Sequence, residues 1–337
     1  MAVLWTDVID PATLTGYMRE SLAAYEARQG SLEQWLTNQN VGDIVVSFDV
    51  GAFGLTQTAR FRAFDAEPEY GKAEGGKRVM IELPAIGQKI AISEYQRLRQ
   101  RNASDEAFLE SILQTADRVV RAVADRMELL RGVVLETGVA TVAQDNFTVS
   151  DDFGRPAEHT ITAASMWTTT TVDRISDLLA WQDVYFETNT TNPGVILMPK
   201  AVYAQFRKGD QFQNAVTGRP MTQSEINGII VDEGLPPIQL FDRRVNYEGT
   251  MTSVLSTKKL YMLPTTSESG ALGHTYWGTT LTATDLGWGI ADNESAGIVA
   301  GVYKNEQPPV LAEVVSDAIG MPVLGNAALS LTAQVIA

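Results

Sequence analysis

The sequence predicts an α+β protein built from several dissimilar parts. Three observations carry that expectation. One sustained helical pattern runs from Ser104 to Arg131. A long alternating stretch rich in glycine, Val45 to Ile92, precedes it and holds no helical period. Between residues 166 and 299, strand-like apolar runs alternate with short helical ones.

Residues 1–45 read as a mixed arm. Pro11 opens a short helix through Tyr25, and Ser31 to Leu36 makes a further turn. Residues 46–92 read as a two-stranded excursion. Thr58 to Phe64 leads out, Lys77 to Leu83 leads back, and Pro68 to Gly76 forms a polar, glycine-rich tip. Residues 60–101 hold nine Lys and Arg against six Asp and Glu, a basic stretch in an acidic chain. Such an excursion is either attracted to the acidic surface of another copy or a solvated hairpin with incidental charge.

The helix is legible from its apolar steps. Phe108, Ile112, Ala116, Val119, Val123, Met127, Leu130 and Val134 follow one another at three or four residues, the spacing of a single helix face. Ser104 suits the cap, and Asp105 and Glu106 suit the positive end of the helix dipole. At about 1.5 Å per residue the helix spans roughly 42 Å, longer than a compact domain needs. A long strut beside a reaching arm describes a subunit that grips its neighbours.

Beyond the helix, Val139 to Val149 and Thr160 to Ala164 read as strands, and Thr168 to Thr171 as the cap of a helix over Val172 to Glu187. Gly194 to Met198 is a continuous apolar run, typical of a buried strand. Helices are expected at Lys200 to Arg207 and Thr222 to Val231. Strands are expected at Ile238 to Phe241 and Lys259 to Leu263. The stretch 300–337 reads as strands broken by Pro308-Pro309 and by Pro322.

Composition narrows the function. With 337 residues and 45% hydrophobic content the chain can bury a substantial core. No apolar run approaches the ~18 residues that span a bilayer. The first residues lack the basic region of a secretory signal. Without cysteine there are no disulfides, thiolate nucleophiles or zinc–thiolate sites. A net charge of −15 argues against gripping nucleic acid by its phosphates and is compatible with merely enclosing it.

Catalytic spacing is missing. There is no Gly-x-Ser-x-Gly elbow, phosphate-binding loop or His-Glu-x-x-His. Asp152-Phe153-Gly154 matches a kinase tripeptide without the partners a kinase needs, and reads as a turn. Asp151-Asp152 and Asp232-Glu233 lie beside glycines in turn-like contexts. His159 and His274, the two histidines, have no local motif, and Trp167, Trp181, Trp277 and Trp288 read as core or interface anchors. The readings that remain are a shell or binding subunit and an α/β enzyme with an unrecognised site on 166–299, with His274 or His159 as base. No catalytic, cofactor or metal residue is assigned.

The order of parts resembles a tailed-phage major capsid protein, and more narrowly the lambda-type major capsid protein E family with its Hong Kong 97-type fold. The residues that carry the resemblance are Ile81 to Ile90, like the return limb of the extended loop; Asp125 to Leu130 with Val133 to Gly138, like the end of a spine helix and the start of the next hairpin; and Gly320 to Leu324 through Val335, like the closing strand.

The resemblance implies an N-terminal arm (1–45), an extended β-hairpin loop (46–95), a peripheral domain with the spine helix (96–165), an axial domain (166–299) and peripheral return strands (300–337). It implies self-assembly into hexamers and pentamers of an icosahedral head that encloses double-stranded DNA, with no membrane partner. The extended loop would lie across the adjacent subunit, with contacts expected at Arg60, Arg62, Lys72, Lys77, Arg78, Lys304, Asn305 and Glu306. The arm begins almost at Met1, which implies a separate scaffolding protein. A decoration protein and a portal at one vertex are further expected partners, with assembly in the host cytoplasm and residence in the virion capsid. A cellular nanocompartment shell is the alternative within the same fold.

Overall fold

One helix serves as the shared wall of two sheets. A computed structural model describes residues 2–50, 77–95, 105–144, 147–213, 219, 221–291, 296–305, 307 and 310–337. In chain order the elements are β1 (Ala2–Leu4), α1 (Pro11–Gln29), β2 (Thr37–Asn40), β3 (Val45–Val50), β4 (Lys77–Glu82), β5 (Ala85–Ile92), α2 (Asp105–Thr137), β6 (Val139–Gln144), β7 (Phe147–Asp152) and β8 (Thr160–Thr162). Then come α3 (Arg174–Asn189), β9 (Val195–Met198), α4 (Lys200–Phe206), α5 (Gln223–Asp232), β10 (Ile238–Leu240), β11 (Arg244–Tyr247), β12 (Thr250–Ser253), β13 (Lys259–Leu263), β14 (Gly273–Gly278), β15 (Val299–Asn305), β16 (Ala312–Leu324) and β17 (Leu331–Gln334).

The first sheet runs β1-β15-β16-β14-β2, with β5 along β16. The 13-residue β16 joins it: its first half lies between β15 and β5, and its second half pairs with β14. Residues Ala312, Val314, Ser316 and Ala318 are buried, whereas Glu313, Val315, Asp317 and Ile319 are half-buried, the alternation of a strand with one face on a core. The strand passes through Pro322 instead of breaking there. Beyond Ile319, where β5 ends, β16 has a single paired neighbour, and a residue without an N–H is tolerated.

The second sheet runs β10-β9-β13-β17-β8. Both of its faces are covered, which explains the unbroken apolar runs. In β9, Ile196 and Met198 pack with α3, α4 and α5 residues such as Trp181, Phe206 and Ile230. Val195 and Leu197 turn the other way, into a core with Leu130, Val134 and Leu135 of α2. β13 divides likewise, Leu260 and Met262 against Tyr261 and Leu263. This sheet takes β8 and β17 from either end of the chain segment that its other strands occupy.

The strut packs as its pattern requires. Ile112, Ala116, Val119, Val123 and Met127 meet Leu14 and Met18 of α1 and Val302, Val314 and Ala318 of the first sheet. It is longer than expected, 33 residues ending at Thr137, roughly 50 Å. Buried Val134 and Leu135 extend the apolar stripe. Gly138, at φ 75°, then ends the helix, its N–H donating to the Val134 carbonyl at 2.8 Å. Arg155 donates to the carbonyls of Leu135 at 2.6 Å and Glu136 at 3.1 Å, capping the negative end. Burial pulls that guanidinium down to about 10, still charged at neutral pH. Gly132 lets the Val254 backbone lie against the helix, where a Cβ would collide with its carbonyl oxygen. The expected cap, Ser104, lies outside the described residues.

Other boundaries moved for local reasons. Asp173, not the threonine run, caps α3, its carboxylate accepting from the Ser176 N–H at 3.2 Å. The run before it is held instead by buried Arg174, which donates to the carbonyls of Trp167 at 2.7 Å and Thr169 at 3.0 Å. Residues 139–149 do not form one strand: β6 and β7 fold back on each other as a hairpin. The return limb at Lys77–Glu82 pairs with Val45–Val50, and the expected outward limb at Thr58 to Phe64 lies outside the described residues. Thr222 and Glu225 close a capping box on α5 as the sequence placed it.

Val123 is 1% exposed between α1 and the first sheet. Val123→Asp would bury an unpaired charge, a loss of several kcal/mol. The expected outcome is insoluble or unfolded protein, read by soluble yield and circular dichroism.

Candidate functional site

Five segments meet at a buried ion cluster. Arg131 of α2 is fully buried. Its Nη1 donates to Glu26 Oε1 of α1 at 2.7 Å, Glu128 Oε2 at 3.1 Å and Ser31 Oγ at 3.1 Å. Its Nη2 donates to Asn38 Oδ1 of β2 at 2.7 Å, and its Nε to Thr275 Oγ1 of β14 at 3.0 Å. Glu128, also fully buried, accepts from Ser31 Oγ at 2.7 Å and the Leu32 N–H at 2.8 Å. Beside it Arg243 donates to Asp125 Oδ1 at 3.1 Å and to the Gly30 carbonyl at 3.1 Å, with its guanidinium over the Tyr25 ring. These groups satisfy one another and are closed to solvent. That is the chemistry of a structural joint, in which charged hydrogen bonds offset desolvation.

The expected contact residues fall on separate elements. Arg78 is exposed on β4, with Nη2 donating to Ser47 Oγ of β3 at 3.0 Å. Lys77 begins the same strand, opposite Val50. Lys304 and Asn305 end β15, opposite Val3 and Ala2 of β1, and the Lys304 ammonium sits 5.4 Å from the Trp5 ring centroid. The Asn305 N–H donates to the Leu311 carbonyl at 3.0 Å, closing the turn that follows. Among the described residues no hydrogen bond or ion pair joins the β4 group to the β15 group. Arg60, Arg62, Lys72 and Glu306 lie outside the described residues.

The residues weighed for catalysis have structural partners. His159 is buried, with Nε2 3.0 Å from Thr188 Oγ1 and Nδ1 3.3 Å from the Ser330 carbonyl, and its ring stacks on Tyr185. Burial, and to a lesser degree the Arg155 cation, holds its pKa below the ordinary histidine value. His274 Nδ1 is 2.9 Å from Thr37 Oγ1 across the β14–β2 pair. Trp167, Trp181, Trp277 and Trp288 are all buried, and Trp167 stacks on Trp181. Asp152-Phe153-Gly154 is a turn, with Asp152 Oδ1 accepting the Gly154 N–H at 2.9 Å. Among the described residues no three carboxylates or histidines come close enough to hold a metal ion.

The sequence reading passed over two charged features of α2. One is the buried cluster, whose signal was Arg131 standing on the apolar stripe itself, four residues after Met127 and three before Val134. The other is a surface groove of about 620 Å³ between α2, β5 and the β11–β12 hairpin, lined in part by Arg118, Arg121 and Arg126.

Residues 37–276 match the family described as phage major capsid protein E. No curated protein matches the sequence. Solved structures with a similar fold include a prophage protein of Escherichia coli CFT073 described as a capsid protein. It aligns with a TM-score of 0.66 at 13% identity over 100% of each chain. A phage-related protein from Bordetella bronchiseptica RB50 aligns with a TM-score of 0.57 at 12% identity, over 99% of this chain and 97% of that one.

Replacing Arg131 with Met would strand two buried carboxylates, and a loss of about 3–5 kcal/mol is expected in denaturant unfolding of the unassembled subunit. The triple change Arg131→Met, Glu26→Leu, Glu128→Met should lose less than Arg131→Met alone. For His159 the folded chain takes up a proton less readily than the unfolded one. Its stability is therefore kept above the ordinary value of 6.5 and falls as pH drops below it. His159→Gln should flatten the fall in melting temperature between about pH 7 and pH 5; a slope equal to the parent's would refute this.

Proposed function

From the premise that this chain belongs to the phage major capsid protein E family, we propose how its parts build a phage head. It is a structural subunit of a bacteriophage capsid with the Hong Kong 97-type fold, it assembles with copies of itself into an icosahedral shell, and it resides in the virion. The observation that carries this is the family match over residues 37–276, which runs from β2 through the strut and the second sheet into β14.

Within that frame the shell is built of hexamers and pentamers and encloses double-stranded DNA of a tailed phage. Residues 1–45 act as the arm and 46–95 as the extended loop lying across the adjacent subunit. The axial domain, 166–299, surrounds the symmetry axes. The peripheral domain is made of 96–165 and the return strands 300–337. Arg60, Arg62, Lys72, Lys77 and Arg78 on the loop, and Lys304, Asn305 and Glu306 at the end of β15, serve as inter-subunit contacts. Exposed Arg78 on a projecting hairpin supports the first group, and the edge position of β15 beside the short β1 supports the second. A separate scaffolding protein, a portal at one vertex and possible sites for a decoration protein complete the partner set, and assembly takes place in the host cytoplasm. The subunit performs no chemistry: the charged and aromatic groups weighed for catalysis are engaged in packing.

Many weak contacts per subunit suffice, because closure of a shell makes them cooperative and each removes apolar area at roughly 25 cal/mol per Å². Electron microscopy of the purified protein tests the reading. Shells, tubes or rings of capsomer size are expected; a monodisperse single chain at high concentration would overturn it.

A further inference from the structure

Along the strut, Arg118 and Arg121 are exposed and Arg126 is half-buried, and all three line the groove beside β5. Arg121 lies 5.8 Å from the Tyr25 ring centroid and Arg126 lies 5.0 Å from that of Tyr247. None of the three is paired with a carboxylate among the described residues. Asp125, in the same groove, is already taken by Arg243 at 3.1 Å, and Glu248 is the other acid lining it. A chain of net charge −15 therefore displays one uncommitted row of guanidinium groups.

The groove's second wall is a strand edge. β5 pairs with β16 on one side, and no described strand pairs with it on the other. In an antiparallel ladder every second residue of such an edge turns its N–H and C=O outward, a template for another strand. The site thus asks for an extended segment whose carboxylates fall on one face.

The chain contains one. Asp65, Glu67 and Glu69 stand at every second position, so pairing as a strand puts all three carboxylates on the same face. Those residues would also direct their backbone groups to β5, and Pro68 between them would turn its missing N–H to the far side, where an edge strand tolerates proline. The segment belongs to residues 51–76, outside the described structure, which join the far ends of β3 and β4. That hairpin carries the chain away from Glu82, two residues before β5 begins, for about five residues, roughly 17 Å. Each limb of the 26-residue connection can extend up to about 43 Å further. Its length and its point of departure suit a groove on a neighbour.

We propose that segment 65–69 of a second copy of this chain adds as a strand to the open edge of β5, with Asp65, Glu67 and Glu69 facing Arg118, Arg121 and Arg126. The inference rests on the shell reading above and names the two surfaces of one of its contacts.

Charge reversal tests it. A segment variant (Asp65→Lys, Glu67→Lys, Glu69→Lys) and a groove variant (Arg118→Glu, Arg121→Glu) should each fold, by circular dichroism, yet lose assembly at least about tenfold in sedimentation and electron microscopy. An equimolar mixture should recover rings, because each segment then meets an oppositely charged groove on the other chain. Normal assembly of either variant alone would overturn the proposal. So would a mixture that fails while a chain carrying both reversals assembles, since that result places the segment in its own groove. A second readout does not depend on assembly. A labelled peptide of residues 60–74 should bind the segment variant, whose groove is intact and free, and bind the doubly reversed chain at least about tenfold more weakly. No binding to the segment variant would overturn the proposal. Peptide binding beside an unaltered protein that forms no assembly would refute the shell reading and leave the docking surface standing.

Discussion

The buried guanidinium of Arg131 is the constraint on which the rest of this subunit depends. Its five hydrogen bonds reach α1, the turn after it, β2, α2 and β14. A charge taken out of water is tolerable only where its donors are met with good geometry, and there is one arrangement of these segments that meets them. An apolar contact at the same place would tolerate sliding. The cluster therefore acts as a register pin between the N-terminal arm and the strut. Arg243 and Asp125 extend the pin to the segment leading into β11, so both sheets are referenced to the same two turns of helix.

That pin sits where the strut changes partners. N-terminal to it, the helix packs against α1 and the first sheet; C-terminal to it, against the second sheet and the β6–β7 hairpin. A 33-residue helix bridging two cores transmits displacement from one to the other as a rigid element. A shell subunit gains from this arrangement. Contacts on the projecting hairpin and contacts on the helices of the second sheet belong to one body, and strain at one neighbour is felt at another.

Much of the fold was legible because periodicity reports burial. The stripe from Phe108 to Val134 identified the strut and its buried face, and the run Val195 to Met198 identified a strand covered on both sides. What was misread were ends and breaks. Thr168 to Thr171 look like a cap, yet the cap is Asp173, because Arg174 claims the carbonyls of the preceding loop. Pro322 looks like a strand break, yet it falls where β16 has one neighbour. In both cases the deciding partner is distant in sequence, or its relevance depends on which strands lie alongside. The contact residues chosen by charge share the difficulty: a basic residue is visible in sequence, but its uncommitted state is visible only once its neighbours are placed. Arg118 and Arg121 show this, being no more basic than Arg131, which is wholly consumed inside.

By itself the sequence determined the element types, the long strut, the absence of a readable catalytic motif and the order of parts that resembles a capsid subunit. Those properties follow from local spacing and composition, which act along the chain. The tertiary structure alone decided that β8 and β17 join the middle sheet, that β16 holds the first sheet together, and that Arg131 is the hub while Arg118 and Arg121 face outward. Those outcomes depend on which distant segments compete for the same hydrogen-bond donors and the same buried area. That competition is resolved only when the chain closes on itself.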